Sequence, residues 1–187
     1  MKSKTREQFH PAIVLCLICL IVTLLLAATN AATEGPIAEE AARAQEESLR
    51  QVLPGCDSYE TPSGSSLVYW MGKSGGEKKG YVFVTSARGY GGDISVMTGV
   101  DAEGKITGVQ LLESNETPGL GQRAAEESFR SQYTGKSGEL SAVKGSASGE
   151  NEIGAITGAT ITSRAVTEAV NEALAHYETV KGGAANG

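Results

Sequence analysis

The chain has 187 residues, of which 40% are hydrophobic and 5% aromatic, and it carries a formal net charge of −6. A chain of this length holds one ordinary domain and an appendage, which excludes a multidomain enzyme. From residue 34 onward there are thirteen Lys and Arg against twenty-one Asp and Glu, a net charge of −8. An acidic domain of this kind disfavours nucleic acid as a partner.

The N-terminal segment predicts a membrane anchor. Residues 11–32 (PAIVLCLICLIVTLLLAATNAA) are uncharged, and about 20 apolar residues are enough to cross a hydrocarbon core roughly 30 Å thick. Residues 1–10 are basic and acidic residues follow the apolar run, so the positive-inside rule predicts a cytoplasmic N-terminus and an extracytoplasmic domain. The small residues at the end of the run leave a cleaved signal peptide as the alternative.

The cysteines and histidines do not form a recognisable site in the sequence. Cys16 and Cys19 lie in the apolar run and only Cys56 lies beyond it, so no intrachain disulfide is expected in the exported part. His10 and His176 have no neighbours at ligand spacing, so we predict no metal site. A Ser-His-Asp triad would need His176 as its base, and no nucleophile elbow accompanies it.

The next part of the chain reads as one helix followed by strands. Apolar spacing predicts a juxtamembrane helix in residues 33–55, which ends at Pro54-Gly55. Four strand-like runs follow, in residues 65–71, 80–92, 93–101 and 105–114. The last two are joined by the short turn Ala102-Glu103-Gly104, as in a hairpin. Consecutive hairpins predict a mainly antiparallel sheet.

The C-terminal third predicts two helical segments separated by a loop. Pro118, Gly119 and Gly121 indicate a turn, after which a helical segment reaches about Tyr133. Residues 134–154 are rich in glycine and serine and predict a loop with at most one short strand. The final helix has the clearest apolar stripe: Val166, Ala169, Val170, Ala173, Leu174 and Tyr177.

Thr162 or Ser163 is the predicted N-cap of this final helix. The tail, residues 181–187, is expected to be flexible. The fold class is therefore α+β: one N-terminal transmembrane helix, followed by a single domain in residues 56–180 with a mainly antiparallel sheet packed by helices.

Residues 154–166 (GAITGATITSRAV) gather four hydroxyl side chains at the predicted start of this helix. The first turn of a helix has unpaired N–H groups and the positive end of the helix dipole, so a phosphate is stabilised there. Gly158 and Ala159 leave the approach open. The same cluster also fits a well-capped helix start that binds nothing.

The segment TGATITSRAV, residues 157–166, resembles the flavinylation motif of FMN-binding domains in the G subunit of the Rnf electron-transport complex. The C subunit of sodium-translocating NADH:quinone reductase shares that domain. Residues 99–121 (GVDAEGKITGVQLLESNETPGLG) resemble the strand, hairpin, strand and ETPGLG loop of the same family. Residues 52–55 (VLPG) and the single N-terminal anchor also fit. The resemblance covers nearly the whole exported domain and implies an FMN-binding fold.

The resemblance also implies how FMN is held. Thr160 would carry FMN through a phosphoester bond that a separate flavin transferase installs, with Thr162 as the fallback attachment site. Thr157, Gly158 and Ala159 would present the motif to the transferase and line the phosphate.

The ETPGLG loop would pack near the isoalloxazine ring of FMN. Glu116 and Thr117 would supply polar contacts and Leu120 an apolar one. Tyr90, in the segment RGYGGD, has no such support, and we interpret it as a turn aromatic rather than a ring-stacking residue.

One position departs from the family pattern. The family motif usually carries an aspartate three residues before its first Ser or Thr, and this chain has Gly154 there. If the transferase reads that aspartate, flavinylation of this chain would be slow or absent.

The function implied by the resemblance is electron carriage by FMN within a membrane complex that couples ferredoxin–NAD chemistry to the movement of sodium ions or protons. The partners would be the other membrane subunits, in the cytoplasmic membrane of a bacterium or archaeon. No dinucleotide fingerprint is present, so this chain alone is not expected to turn over NADH. Two alternatives remain: an anchored domain that binds FMN or another phosphate ligand reversibly, as a C-subunit-like protein or a sensor, and an interaction module without a ligand.

Overall fold

The structure is a computed structural model that describes residues 3–62 and 69–183. It divides into two compact units, the first ending at Gln45 and the second beginning at Glu46. The second unit contains the sheet, the C-terminal helix and all of the residues that the sequence analysis assigned to a cofactor site.

Helix α1 runs without a break from Ser3 to Val52 and includes Pro11 and Pro36. The predicted anchor and the predicted juxtamembrane helix therefore form one continuous helix. From Pro11 onward the helix contains an 18-residue window with a mean hydropathy of 3.0, none of which is buried. By length and composition this helix can cross a membrane.

Five strands form one sheet in which every neighbouring pair is antiparallel and the spatial order follows the chain order. The strands are β1 (Ser58–Glu60), β2 (Tyr69–Ser74), β3 (Glu77–Arg88), β4 (Asp93–Asp101) and β5 (Ile106–Glu113). The predicted antiparallel sheet is thus confirmed. β1 was not predicted, since three residues carry too short a pattern, and residues 65–68 of the first predicted strand lie outside the described residues.

The sheet is covered on both faces, because its central strands alternate apolar side chains between the two sides. Phe83 and Val96 belong to the core that packs against the C-terminal helix. Val82 and Met97 belong to a second core. This second core is completed by residues from the end of α1 and the turn after it: Leu49, Val52, Leu53 and Cys56.

Glycines let the end of α1 lie directly on the sheet. A Cβ at Gly108 would come within 3.0 Å of the Val52 Cα, and a Cβ at Gly99 would overlap the Val52 carbonyl. The Thr107 hydroxyl donates a hydrogen bond to that same carbonyl. The glycine-rich composition of these strands therefore has a packing reason.

The segment after β5 differs from the predicted single helix. It consists of a 3₁₀ turn (Gly121–Ala125), a short helix α2 (Glu127–Arg130) and a second 3₁₀ turn (Ser131–Tyr133). Glu126 has an extended backbone (φ −69°, ψ 143°), which interrupts the helix. Phe129 and Tyr133 are nonetheless buried in the core.

Two short strands follow, β6 (Ser141–Lys144) and β7 (Glu152–Ala155), and they pair in parallel. The expectation of at most one strand here was wrong. The pairing joins residues about eleven positions apart, and a local window rich in glycine and serine does not reveal such a contact.

Helix α3 runs from Thr160 to Gly183. Its predicted stripe is confirmed, since all six residues are buried against the sheet. The first residues of the predicted flexible tail, up to Gly183, are helical, and residues 184–187 lie outside the described part of the chain.

Candidate functional site

The start of α3 is two to three residues earlier than the predicted N-cap. Gly158 adopts φ +84°, and the Ala159 N–H donates to the Ile156 carbonyl at 2.9 Å, which closes a turn. The Ser163 N–H then donates to the Ala159 carbonyl at 3.0 Å, the first helical bond. Thr162 and Ser163 therefore lie inside the first turn, and their assignment as the N-cap was wrong.

The hydroxyls of this first turn have different partners. Ser163 Oγ accepts a hydrogen bond from the Ile156 N–H at 3.0 Å and donates to the Ala159 carbonyl at 2.9 Å. Thr162 Oγ1 donates to Glu116 Oε2 at 3.0 Å. The half-buried Thr160 makes no side-chain hydrogen bond among the described residues. Of the three, Thr160 has the hydroxyl that is available for chemistry.

Glu116 joins three segments of the chain. Its side chain is buried, at 3% exposure. Oε1 accepts hydrogen bonds from the backbone N–H groups of Tyr90 (2.7 Å) and Gly91 (3.2 Å), and Oε2 accepts from Thr162. Glu116 also lines the cavity described below, and its polar contact to a flavin ring stays a prediction. A buried carboxylate is tolerated here because three donors compensate it.

The loop after Glu116 closes tightly onto α3. The Thr117 carbonyl accepts hydrogen bonds from the N–H groups of Leu120 and Gln122, both at 3.2 Å. Gly119 adopts φ +75°, which only glycine reaches without strain. A Cβ at Gly121 would overlap the Glu116 carboxylate and come within 2.9 Å of Thr162 Oγ1. Glycine at these two positions is therefore required by the loop's shape.

Between this loop, α3 and the turn that carries Tyr90 lies a cavity of about 580 Å³. This volume is in the range of pockets that hold small ligands and cofactors. The lining residues are Tyr90, Glu116, Thr117, Leu120, Gly121, Gly158, Ala159, Thr160, Ile161 and Thr162.

The cavity brings together seven of the eight residues that the sequence analysis proposed for the site. Thr157 is the exception: it is exposed in the preceding turn and does not line the cavity. Tyr90 and Ile161 line it although the sequence analysis did not assign them. The sequence gives only a weak signal for them, because each is a single large side chain in a polar or glycine-rich setting. In the structure Tyr90 is 73% exposed and Ile161 is 55% exposed.

The residues of the cavity fit FMN. Tyr90, Leu120 and Ile161 offer an apolar surface for a flat ring. The start of α3 offers N–H groups for a phosphate, because the first N–H groups of a helix have no partner within it. None of the described lining residues is positively charged. The negative charge of a phosphate would therefore be stabilised by the N–H groups at the helix start and by the hydroxyls.

A second cavity of about 580 Å³ lies along α3, near Asn171 and Glu178. Its lining includes three glutamates, Glu103, Glu139 and Glu178. A cluster of carboxylates repels a phosphate, so this cavity does not suit FMN.

Gly154 lies on β7 and has no space for a side chain. Its N–H donates to Gln132 Oε1 at 2.8 Å, and its carbonyl accepts from Gln132 Nε2 at 3.3 Å. A Cβ at this position would stand 2.8 Å from the Gly145 carbonyl oxygen. The aspartate that the family motif carries here could not be placed without moving the β6–β7 loop.

Among residues 3–62 and 69–183, no three His, Cys, Asp or Glu side chains lie close enough to hold a metal ion.

The chain matches known families over both of its parts. Residues 89–175 match the model of the FMN-binding domain family, and residues 1–52 match the model of the RnfG N-terminal region. The chain is 38% identical to the G subunit of the Na⁺-translocating ferredoxin:NAD⁺ oxidoreductase complex of Acetobacterium woodii, over 95% of this chain and 98% of that one. The chain belongs to the Rnf G-subunit family.

Other members of this family are also similar to the chain. The G subunit of the proton-translocating ferredoxin:NAD⁺ oxidoreductase complex of Clostridium ljungdahlii is 33% identical, over 90% of this chain and 91% of that one. Membership makes this chain one component of an ion-translocating oxidoreductase complex. Family membership and the long apolar helix together show that the chain is membrane-associated and contains an FMN-binding domain.

The fold also matches that of solved structures. The crystal structure of the C subunit of the Na⁺-translocating NADH-quinone reductase from Parabacteroides distasonis is 26% identical and aligns with a TM-score of 0.54 over 62% of each chain. The matched FMN-binding region, residues 89–175, contains every residue that lines the cavity. The cavity at the start of α3 therefore lies within the FMN-binding domain of this Rnf G-family chain.

Proposed function

We propose that this chain carries FMN bound covalently to Thr160 through a phosphoester, and that the flavin relays electrons between partner subunits of an Rnf complex. The complex would couple electron transfer between ferredoxin and NAD⁺ to ion translocation, as the names of the relatives from Acetobacterium woodii and Clostridium ljungdahlii describe for their complexes. The observation that supports this most directly is that Thr160 lines the cavity and that its hydroxyl has no hydrogen-bond partner among the described residues.

The geometry favours Thr160 over the fallback Thr162. Thr162 is 1% exposed, and its hydroxyl donates to Glu116. Esterification of Thr162 would remove that donor and leave a buried carboxylate oxygen without it, which is costly. Thr160 is half-buried, and its modification breaks no hydrogen bond to the part of the chain that the structure describes.

Charge favours an ester over a free phosphate in this cavity. A phosphate monoester carries about −1.5 to −2 charges near neutral pH, and the cavity contains the carboxylate of Glu116 but no described cation. A diester carries a single negative charge, so the repulsion by Glu116 is smaller. The helix start stabilises the remaining charge.

When bound, FMN supplies the electron-transfer chemistry, and the residues of the chain bind and orient it. A threonine hydroxyl is a weak nucleophile without activation, so we propose that a separate flavin transferase forms the ester. Gly158 and Ala159 line the cavity beside Thr160 with little or no side chain, and Leu120 and Ile161 line it with apolar side chains.

Reversible FMN binding is the second candidate, and one observation favours it. Gly154 replaces the aspartate of the family motif and leaves no space for one. A transferase that depends on this aspartate would leave Thr160 unmodified, with FMN held only by the cavity.

The test is co-expression of the full chain with a flavin transferase, followed by intact mass spectrometry and in-gel flavin fluorescence after denaturation. We expect a flavin adduct on the wild type and on Thr160→Ser, and none on Thr160→Ala. Thr179→Ala is the matched control, because Thr179 is exposed near the other end of α3, outside the motif and the cavity, and it should keep the adduct. Yellow colour that is lost on denaturation would support reversible binding, and an adduct that persists in Thr160→Ala would contradict attachment at Thr160.

A further inference from the structure

We propose that Tyr90 contacts the flavin ring, and that Glu116 is a positioning residue that holds Tyr90 in place across the cavity from the attachment helix. This inference rests on the proposed function, since it concerns the same cavity. It assigns a role to a residue that sequence analysis interpreted as an ordinary turn aromatic.

The exposure of Tyr90 is the first observation. In the described part of the second unit, four large hydrophobic side chains are exposed: Tyr90 (73%), Ile161 (55%), Leu120 (45%) and Leu112 (41%). Three of these four line the same cavity. Scattered exposed apolar residues need no explanation, but a cluster around one cavity indicates a binding surface. An aromatic ring in such a cluster offers a flat face to a flat ligand.

The backbone at Tyr90 is fixed although its side chain is not buried. The Gly89 N–H donates to the Gly92 carbonyl at 2.8 Å and closes the turn. A Cβ at Gly89 would overlap Glu116 Oε1, and a Cβ at Gly91 would overlap the Asn115 carbonyl. The two glycines thus let the turn pack directly against the Glu116 segment, and Tyr90 stands between them.

Glu116 makes the connection to the attachment helix. One carboxylate oxygen accepts the N–H groups of Tyr90 and Gly91, and the other accepts the hydroxyl of Thr162, two residues after the proposed attachment point. A single buried side chain therefore sets the position of Tyr90 relative to the first turn of α3. Glu116 acts through Tyr90 and Thr162, which is why we assign it a positioning role.

Tyrosine provides a direct spectroscopic signature of such a contact. A phenol next to a photoexcited flavin transfers one electron to it and takes that electron back on recombination, so the flavin returns to its ground state without emitting. Phenylalanine keeps the aromatic face but is not oxidised by this route. The fluorescence of the bound flavin therefore reports the phenol, and collisional quenching by iodide reports how well the ring is shielded.

The experiment uses the full chain, with the flavin on each variant verified by intact mass. We expect Tyr90→Ala to raise the fluorescence yield at least twofold and to increase quenching by iodide. Tyr90→Phe should raise the yield to a similar degree with iodide quenching unchanged. Leu112→Ala is the matched control, because Leu112 is exposed but does not line the cavity, and it should match the wild type.

Glu116 is tested by its own series. Glu116→Gln should keep wild-type fluorescence, because the amide oxygen accepts the Tyr90 and Gly91 N–H groups and the amide nitrogen can share a hydrogen bond with the Thr162 hydroxyl. Glu116→Ala should resemble Tyr90→Ala, and the double variant should be no brighter than either. Glu116→Asp retains the charge but is one methylene shorter, so it should also raise the flavin fluorescence. It replaces Glu116→Ala as the test variant if Glu116→Ala does not fold. Glu113→Ala is the control, because Glu113 is exposed at the end of β5 and does not line the cavity.

Three outcomes separate the inference from the proposed function. A flavinylated Tyr90→Ala with wild-type fluorescence and iodide quenching overturns the Tyr90 contact while leaving attachment at Thr160 intact. Wild-type fluorescence in both Glu116→Asp and Glu116→Ala overturns the positioning role alone. A wild-type chain that takes up no flavin in the presence of the transferase removes the proposed function and this inference together.

Discussion

At the scale of single residues, the structure adds most to the role of Glu116. The family resemblance predicts that Glu116 contacts the flavin. In the structure Glu116 lines the cavity, and its carboxylate accepts hydrogen bonds from Tyr90, Gly91 and Thr162. Buried carboxylates persist in folded proteins when several donors compensate the charge. Glu116 therefore builds the cavity in which a flavin can be held.

The hydrogen bond between Thr162 and Glu116 gives a stability prediction. Thr162→Val keeps the shape of the side chain but removes the donor to a buried carboxylate, and we expect a loss of about 1.5–3 kcal/mol in the free energy of unfolding. Thr162→Ser keeps the donor and should cost about 1 kcal/mol, because it removes one methyl group. Urea unfolding of the full chain in detergent measures both, and a wild-type midpoint for Thr162→Val would contradict the assigned bond.

At the scale of elements, hydrogen bonds and backbone packing fix the two ends of β7. At its start, Glu152 accepts hydrogen bonds from the backbone N–H groups of Ser148 and Gly149, both at 2.9 Å. At Gly154, the strand packs against the Gly145 carbonyl and Gln132. The β6–β7 loop therefore occupies the space in which the family motif has its aspartate.

This loop should respond to pH. The backbone N–H groups of Ser148 and Gly149 hold the pKa of Glu152 below its ordinary value of 4.5. A lowered pKa in the folded state means that the carboxylate stabilises the loop fully above about pH 4.5, and that this contribution is lost as the pH falls through the folded-state pKa. The NMR chemical shifts of the Ser148 and Gly149 amides should therefore change as the pH falls from about 4.5 through the folded-state pKa of Glu152.

Two variants serve as controls for the pH response. In Glu152→Gln the amide shifts of Ser148 and Gly149 should no longer titrate with the loop carboxylate. Glu150→Gln, which neutralises an exposed neighbour, should leave the transition in place. Amide shifts that titrate identically in wild type and Glu152→Gln would assign the pH response to another group.

At the scale of the whole molecule, the chain combines an apolar helix with an acidic remainder, since residues 34–187 carry a net charge of −8. A basic N-terminal flank and an acidic domain predict that the N-terminus is cytoplasmic and the domain extracytoplasmic. This orientation would place the FMN-binding domain outside the cytoplasm, and it can be tested without any knowledge of the partners.

Cysteine labelling in intact cells tests the orientation. Cys16 and Cys19 lie in the apolar helix and Cys56 is buried, so the wild type should react little with a membrane-impermeant maleimide. We expect Ser137→Cys, in an exposed loop of the domain, to be labelled in intact cells and Lys4→Cys to be labelled only after lysis. The reverse labelling pattern would contradict the predicted topology. Protein isolated from the cells whose first residue lies after residue 32 would indicate a cleaved signal peptide.

The sequence by itself determined the parts of this protein that depend on local pattern. The apolar run of α1, the antiparallel strands β3 to β5 and the buried stripe of α3 all follow from hydrophobic periodicity, which is a property of short windows. The two motifs around Glu116 and Thr160 also identified the family, and seven of their eight proposed residues line one cavity.

Only the tertiary structure decided which hydroxyl in the first turn of α3 has no partner among the described residues, what Glu116 binds and where Tyr90 lies. These features depend on contacts between residues far apart in the chain: Thr162 is 46 residues from Glu116, and Tyr90 is 26 residues from it. The same holds for the parallel pairing of β6 with β7 and for the space denied to a side chain at Gly154. A local window does not contain both partners of such a contact, so these features become visible only when the chain is folded.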